Sequence, residues 1–321
     1  MAEISITTVG NALGTYCTRY GATLNQDLKQ KLEFEQFLPK VSCDYAYQGI
    51  DVVHSRVLQP YKKTFSPNNE ATFDGNLNIL AYGKIDLSYD WNEIEKFLDK
   101  WQCNWFEAGK PEQDWSFPRY MIQEVIMKQF DEDVNIASYS GSFVDPGTNA
   151  TPGSYLETWN GFNTHISGWV TAGDLDPLVI GAIGDTTAVE QFNEANDLLP
   201  QLYRFAKGRV YCSKSNLLKY CTDYEQKFPY RVANTQQQDD MYVKLDKRNK
   251  TIIGLDCMEG SDRLIFQFDG QPGLIVGTKT GIPLFPALRF HVYDRELHVL
   301  GEFARFYGAE TLRHTFVTDG E

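Results

Sequence analysis

Cysteine and histidine are too sparse and too scattered in this 321-residue sequence to build a metal or disulfide framework. No Cys-X-X-Cys pair occurs among the six cysteines, and the five histidines do not cluster. We therefore expect reduced thiols that are mostly buried, because a free cysteine packs as a small hydrophobic side chain. The sequence predicts no metal and no cofactor.

Positive charge is also in short supply. The chain has 30 Lys and Arg against 43 Asp and Glu, which gives a formal net charge of −13 at pH 7. Phosphate attraction requires Lys and Arg, so this balance excludes a nucleic-acid-binding protein of the ordinary basic kind. It is compatible with an acidic soluble enzyme and with a shell that encloses DNA without gripping it.

Long apolar runs are missing as well. No run of 18 apolar residues is present that would span a bilayer, and the opening MAEISITTVG lacks the basic start and apolar core of a signal peptide. We therefore expect no membrane partner and a protein that is made in a cytoplasm. Hydrophobic residues still make up 42% of the chain, as in ordered globular proteins, and 321 residues favour two lobes over one.

The motifs of common enzyme classes do not occur. There is no Gly-X-Ser-X-Gly elbow and no His-Glu-X-X-His zinc motif. The GAIG turn at residues 181–184 precedes a predicted helix, but it lacks the Lys-Ser/Thr of a P-loop and the third glycine of a dinucleotide fingerprint, so we interpret it as a plain loop. His291 and His298 flank a turn and are predicted to form a cross-strand pair rather than a metal site.

One enzymatic alternative stays open from the residues alone. Glycosidases need two carboxylates about 5–9.5 Å apart beside aromatic rings. Glu107, Glu112 and Asp114 lie close in sequence to Trp105 and Trp115. They fall in a polar stretch typical of a solvated loop, so a carbohydrate-active hydrolase is the alternative from another functional class.

The strongest pattern that is present is a long amphipathic helix over residues 116–139. Its 24 residues would span about 36 Å at 1.5 Å per residue, well beyond the usual helix of about 11–12 residues. Ser116 stands where an N-cap belongs. The residues that recur at helical spacing are Ile122, Ile126, Phe130, Val134 and Ala137.

The first part of the chain predicts a hairpin and two further helices. Residues 52–65 are rich in β-formers and residues 77–87 alternate with period two, which predicts a long β-hairpin over residues 49–87. Such a hairpin is only marginally stable alone, so it needs a surface to lie on. Residues 90–106 predict an amphipathic helix. A weaker pattern at residues 24–37 fits either a helix packed on its own domain or an arm that reaches a neighbouring subunit.

The second half mixes helices and strands, which makes the predicted fold class α+β. Thr187 and Glu190 form a capping-box pattern before one helix, and Ser213 is placed to cap another. A short strand is predicted at residues 208–212 between them. Residues 241–317 are predicted to be nearly all strands separated by turns.

The order of these elements resembles that of the major capsid proteins of tailed bacteriophages, of the Hong Kong 97 type. The resemblance covers most of the chain from about residue 49 onward. The stretches that carry it are KIDLSYDWNEIEKFLDKW (84–101), LLPQLYRFAKGRVYCSKSNLLKY (198–220), KTIIGLDCMEGSDRLIF (250–266) and LHVLGEFARFYGAETLRHTFV (297–317). It implies a structural protein without catalytic activity that assembles in the bacterial cytoplasm and forms the virion shell around double-stranded DNA.

The resemblance also implies a domain organisation and partners. Its parts would be an N-terminal arm (1–48), an extended β-hairpin loop (49–87), a peripheral domain with the spine helix (88–165 and 287–321) and an axial domain (166–286). Partners would be copies of the chain in hexamers and pentamers, a portal protein, and a separate scaffolding or decoration protein where one is used. The hairpin would lie over a neighbour, and the predicted inter-subunit contact residues are Arg56, Lys62, Lys63, Glu70 and Asp74.

Two expectations follow for the spine helix and for the function. The apolar stripe of residues 116–139 should face the protein's own sheet, and the acidic edge at residues 131–133 should point to the particle interior or to a neighbour. The nearest functional alternative shares the fold and is an encapsulin-like compartment that stores an enzyme. A cargo enzyme encoded beside the gene would favour the compartment, whereas a portal and terminase would favour the phage shell.

Overall fold

The structure, a computed structural model, describes residues 5–54, 60–61, 63–64, 71–108, 116–147, 153–228, 242–245, 248–271, 273–282 and 285–320. In these residues the helices are α1 (Ile6–Lys31), α2 (Glu33–Phe37), α3 (Trp91–Ala108), α4 (Phe117–Tyr120), α5 (Lys128–Ser140), α6 (Phe162–Ala172), α7 (Ala188–Leu198), α8 (Gln201–Arg204) and α9 (Lys214–Lys227). A π-helical segment (Met121–Met127) joins α4 to α5, and short 3₁₀ turns lie at Tyr155–Glu157 and Asp256–Met258.

The strands complete an α+β fold. They are β1 (Lys40–Cys43), β2 (Ala46–His54), β3 (Ala71–Ile79), β4 (Ala81–Asp90), β5 (Gly208–Ser213), β6 (Tyr242–Lys244), β7 (Lys250–Leu255), β8 (Ile265–Phe268), β9 (Leu274–Lys279), β10 (Arg289–Tyr293), β11 (Glu296–Ala309) and β12 (Phe316–Val317). The strands predicted at residues 208–212 and within residues 241–317 are confirmed.

The strands form two five-stranded sheets and one two-stranded ribbon. The first sheet has the order β1-β9-β11-β10, and β4 is its fifth strand and also pairs with β11. The second has the order β12-β8-β5-β7-β6, and β2 pairs only with β3. The predicted boundaries between the peripheral and axial domains stay predictions. Sheet membership differs from them at β9, which lies in the first sheet, and at β12, which lies in the second.

The N-terminal helix α1 packs on its own domain, which is the first of the two interpretations that the sequence left open. Ser5 caps the helix by accepting a hydrogen bond from the Thr8 backbone N–H at 3.2 Å. Leu13, Leu24 and Leu28 are buried in the larger hydrophobic core. The helix begins well before residue 24, where the sequence pattern starts. The pattern missed its first half because glycine and small polar residues there weaken the apolar periodicity.

The predicted hairpin over residues 49–87 is confirmed in part: β2 and β3 form an antiparallel pair, but residues 81–87 pair elsewhere. β2 pairs antiparallel with β3, from Ala46 opposite Ile79 to His54 opposite Ala71. The following strand β4 instead runs antiparallel to β11 in the first sheet. The period-two alternation continues through both β3 and β4, so it could not reveal that the partner changes at residue 80.

The long helix predicted over residues 116–139 is confirmed, as α4, the π-helical segment and α5 in succession. All five residues of its apolar stripe are buried. The ring of Phe130 meets the ring of Phe303 on β11 at 5.2 Å and nearly at right angles, so the stripe faces the first sheet as expected. Ser116 occupies the N-cap position without a side-chain capping bond.

The acidic edge at residues 131–133 does not point outward as a unit, which corrects the sequence expectation. Asp131 is buried, and its carboxylate lies 3.2 Å from the Lys31 ammonium at the end of α1. Glu132 is exposed, and Asp133 is only partly exposed. Burial raises the pKa of Asp131 to about 6, although Lys31 acts in the opposite direction.

Asp131→Asn is expected to raise the free energy of unfolding at pH 7.5 by about 2 kcal/mol and to change it little at pH 4. The native carboxyl has a higher pKa than the unfolded one, so the native state binds the extra proton. Native stability therefore falls as the pH rises from about 4 to about 6, and the amide removes that loss. Urea denaturation across this pH range measures the effect. Glu132→Gln is the control, and a less stable Asp131→Asn variant at pH 7.5 would show that the Lys31 pair outweighs burial.

The second sheet and helices α7 and α9 enclose a second, separate hydrophobic core. Ser213 caps α9 as predicted, accepting from the Asn216 N–H at 3.3 Å. The capping box predicted at Thr187 is wrong. The Thr187 hydroxyl accepts instead from the Gly184 N–H at 3.1 Å, and the Glu190 carboxylate pairs with Lys227.

All six cysteines are free thiols, as predicted. Their burial is more varied than expected: Cys212 and Cys257 are buried, Cys103 is exposed, and the others are intermediate. Burial raises the pKa of the Cys17 thiol to about 11, so that thiol is protonated at neutral pH.

Candidate assembly surfaces

The described part of the chain contains no arrangement typical of a catalytic or metal centre. It has no group of three His, Cys, Asp or Glu side chains placed to hold a metal ion. The turn at residues 181–184 is a plain loop, as predicted, since Gln191 and Thr187 accept the N–H groups of Gly181 and Gly184. The cross-strand pair is confirmed, with His291 directly opposite His298. No helix among the described residues has both the length and the apolar character that a membrane crossing needs.

The five predicted contact residues are only partly within the described residues, so their grouping is not tested. Arg56, Lys62 and Glu70 lie outside the described residues. Lys63 is exposed, and Asp74 lies in β3 opposite Asp51. The charged cluster therefore stays a prediction.

The structure also does not describe most of the carboxylates that were considered for a hydrolase. Glu112 and Asp114 lie outside the described residues, and Glu107 is described only as backbone near the end of α3.

An apolar surface on the β2–β3 ribbon is a stronger candidate for subunit contact. We call Ile50, Leu77 and Ile79 the hairpin face; they are 60%, 60% and 53% exposed. The register places Leu77 opposite Gln48 and Ile79 opposite Ala46, so all three side chains lie on the same side of the ribbon. A large apolar side chain left more than half exposed is informative when it has apolar neighbours.

The opposite side of the ribbon is fixed to the body of the subunit. Asn76 and Asn78 both donate side-chain N–H groups to the Ala309 carbonyl, at 2.7 and 2.9 Å. Gly49 lies so close to Glu310 that an added Cβ would stand 2.1 Å from its carbonyl oxygen, which explains the glycine. The hairpin face is therefore presented outward by an anchored base.

A second apolar surface lies on the lobe of the second sheet. We call Leu198, Leu202 and Phe205 the axial patch; all three are exposed where α7 ends and α8 follows. The buried Lys250 ammonium holds α8 by donating to the carbonyls of Tyr203 and Arg204 at 2.8 and 2.9 Å. Burial lowers the pKa of Lys250 to about 8.

Buried charges join the N-terminal segment to both sheets, and the sequence offered no sign of them. The Arg305 guanidinium lies 2.6 Å from the Glu35 carboxylate, and the two side chains are 1% and 2% exposed. The Glu33 carboxylate accepts the backbone N–H groups of Asp256 and Cys257 at 3.1 and 3.0 Å. In the sequence these acids stand in a short, charged stretch that reads as a solvated helix face.

Comparison with known proteins places the fold. No family model and no curated protein matches the sequence. Among solved structures, the chain is similar to a protein of the satellite phage P4 procapsid, with TM-score 0.57, 13% identity, and coverage of 93% of this chain and 90% of that chain. It is similar to the capsid of an empty GTA particle, with TM-score 0.51, 12% identity, and coverage of 90% and 89%.

A third match comes from outside the phages. The Synechococcus elongatus encapsulin complex gives TM-score 0.50 and 9% identity, with coverage of 89% of this chain and 86% of that chain. The chain thus shares its fold with capsid and encapsulin proteins. More particularly, the chain has the fold of the tailed-phage major capsid proteins, and the resemblance stated from the sequence is confirmed at the level of fold.

Proposed function

We propose that this protein is the major capsid protein of a tailed phage and that it assembles through hexamers and pentamers into a shell around double-stranded DNA. The observation that carries the proposal is the capsid fold, matched over 93% of the chain. The hairpin face and the axial patch support it, because a shell subunit needs contact surfaces toward several neighbours. A portal protein and a scaffolding or decoration protein belong to the same proposal.

The two apolar surfaces suit contacts of moderate strength. Burying a side chain that is half exposed in the subunit contributes on the order of 1–2 kcal/mol. Each surface alone gives a weak contact, and many such contacts repeated by symmetry close a shell. The anchored base of the ribbon would carry the hairpin face across an adjacent subunit, and the axial patch would meet its copies around a capsomer centre.

The charge of the chain fits the proposed contents. With a net charge of −13, the inner wall would repel DNA phosphates more than it attracts them. DNA packed against such a wall is free to slide during packaging and release.

Electron microscopy of the purified protein tests the proposal. Hollow particles, or rings of five or six subunits, are expected at high protein concentration, with a scaffolding protein added where one is needed. A protein that stays strictly monomeric under both conditions would contradict the proposal.

An encapsulin-like compartment is the second candidate, because the encapsulin match reaches TM-score 0.50 over 89% of the chain. The contents of particles from the native source distinguish the two. Nuclease-resistant DNA would support the phage shell, and a protein cargo in its place would support the compartment.

Leu202→Ser combined with Phe205→Ser is expected to lower the yield of assembled particles at least about tenfold, since each substitution removes on the order of 1–2 kcal/mol per contact. The melting temperature of the subunit should stay within a few degrees, because both side chains are exposed. Sedimentation velocity and electron microscopy measure the yield. Leu218→Ser, an exposed leucine on α9 of the same lobe, is the matched control; an equal loss there would refute a specific role for the axial patch.

A further inference from the structure

The outer edge of β4 runs along ten residues and pairs with no strand that the structure describes. β4 pairs with β11 over ten residues without interruption, from Ala81 opposite Arg305 to Asp90 opposite Glu296. Its other edge has no strand partner among the described residues, and none of the described backbone groups bonds to residues 82–89 from that side. Natural sheets protect such edges with proline, bulges, inward-pointing charges or charged side chains on the strand, and β4 has only the last of these, in Lys84 and Asp86.

The inner side of β4 is also incompletely covered. Ile85 and Leu87 point toward the core side of the sheet, yet both remain partly exposed. On the adjacent strand β11, Val299 lies opposite Leu87 and is 1% exposed, and the neighbouring inward residue Leu297 is 0% exposed. The hydrophobic core thus ends beneath β4. An additional strand along the β4 edge would place further side chains beside Ile85 and Leu87 and reduce their exposure.

The charges on β4 indicate which strand could pair with its outer edge. Lys84 and Asp86 lie two residues apart on the outer face and form an ion pair with each other. If a second β4 pairs antiparallel with this one, centred on Ile85, then Lys84 of each copy stands opposite Asp86 of the other. Opposite charges directly across a strand pair are favourable, and two such pairs arise from one two-fold axis.

We propose that the β4 edge is the contact surface for β4 of a second copy of this chain, which joins the first sheets of two subunits into one. The same register sets Ile85 against Ile85 and Tyr82 against Ser88, so outer faces stay outer and inner faces stay inner. An interface of this kind closes after two copies and does not propagate into a filament. In a shell it would serve the two-fold contacts between capsomers, and that role rests on the proposed function.

Charge reversal with mixing tests the pairing across copies. Lys84→Asp puts Asp opposite Asp in every like pair, and Asp86→Lys puts Lys opposite Lys. Each variant alone is expected to pair at least about tenfold more weakly than the native chain at low ionic strength. A mixture of the two variants again sets Asp against Lys at both positions, so it should pair within about twofold of the native chain.

The mixture excludes a simple effect on the subunit, because neither variant regains an ion pair within its own chain. Lys207 and Asp269, an ion pair on the other lobe, provide the matched control because they are similarly exposed. Their side chains are 74% and 40% exposed, against 75% and 46% for Lys84 and Asp86. Lys207→Asp and Asp269→Lys change the net charge equally and should leave pairing unchanged.

The readout is the dimer fraction in sedimentation velocity, together with particle yield. Weak dimerisation of each single variant and restored dimerisation of the mixture support the proposal even where no shells form. The dimer fraction therefore tests the β4 contact independently of the proposed shell function. Single variants that pair like the native chain would overturn it, and so would a mixture that stays as weak as either variant. Chemical cross-linking that attaches the β4 edge to another copy's ribbon or N-terminal segment would overturn it as well.

Discussion

Replacing Arg305 with Met is expected to lower the free energy of unfolding by about 3–5 kcal/mol. The Arg305 guanidinium is 2.6 Å from the Glu35 carboxylate, and both side chains are almost completely buried. Removing the guanidinium leaves a buried carboxylate whose nearest other cation, Lys40, is 3.8 Å away and partly exposed. Urea denaturation of the unassembled subunit measures the change.

The double variant Glu35→Gln with Arg305→Met separates loss of charge from loss of packing. It should regain most of the stability, because no uncompensated charge is then buried. A cost below about 1 kcal/mol for Arg305→Met alone would show that Lys40 or water compensates Glu35 without the arginine.

The same pair matters for how the subunit holds together. Glu35 lies in α2, and Arg305 lies where β11 leaves β4 and joins β9. Glu33, two residues earlier, binds backbone N–H groups of the turn at Asp256–Met258. Loss of Arg305 should therefore loosen the N-terminal segment and, with it, the helix that covers β10.

Removing the distal part of the β2–β3 ribbon is expected to lower the particle yield at least about tenfold while the subunit stays folded, because the shortened ribbon keeps the hairpin face but reaches less far across a neighbouring subunit. Residues 51–74 are replaced by Asn-Gly. Ile50 and Gly75 are directly opposite each other, so a two-residue type I′ turn can join them. The anchoring bonds of Asn76 and Asn78 are retained, which keeps the base of the ribbon in place. Electron microscopy gives the yield, and circular dichroism gives the melting temperature.

The two ways in which this experiment can fail have different meanings. A shortened chain that does not fold would place the removed segment in the core of the subunit. A shortened chain that folds and still assembles normally would show that the distal part of the ribbon makes no required contact. The native chain carried through the same purification is the control for both.

The sequence predicted secondary structure correctly where a single layer of the protein covers one face of a helix or strand. The spine helix shows this, because the stripe from Ile122 to Ala137 is buried against a single layer and keeps its 3.6-residue period. The strands of residues 241–317 and the cap at Ser213 depend on equally local chemistry. The fold resemblance followed from the order of such elements.

The sequence did not predict which element each strand or side chain packs against. β3 and β4 share one unbroken alternation, yet one pairs in the ribbon and the other in the first sheet. Asp131 and Glu132 are adjacent acids, yet Asp131 is buried and Glu132 is exposed. Sequence spacing specifies which side of an element a residue occupies, but not what lies against that side.

For this protein the sequence by itself determined the α+β class, the long helix, most strands and the lack of common catalytic motifs. Each of these depends on periodicity, capping and composition over a few neighbouring residues. Only the tertiary structure decided that Arg305 meets Glu35, that Asn76 and Asn78 anchor the ribbon, and that no described strand pairs with the outer edge of β4. Those contacts join residues that are far apart in the chain, and no local pattern encodes which distant group will desolvate or pair with a given side chain.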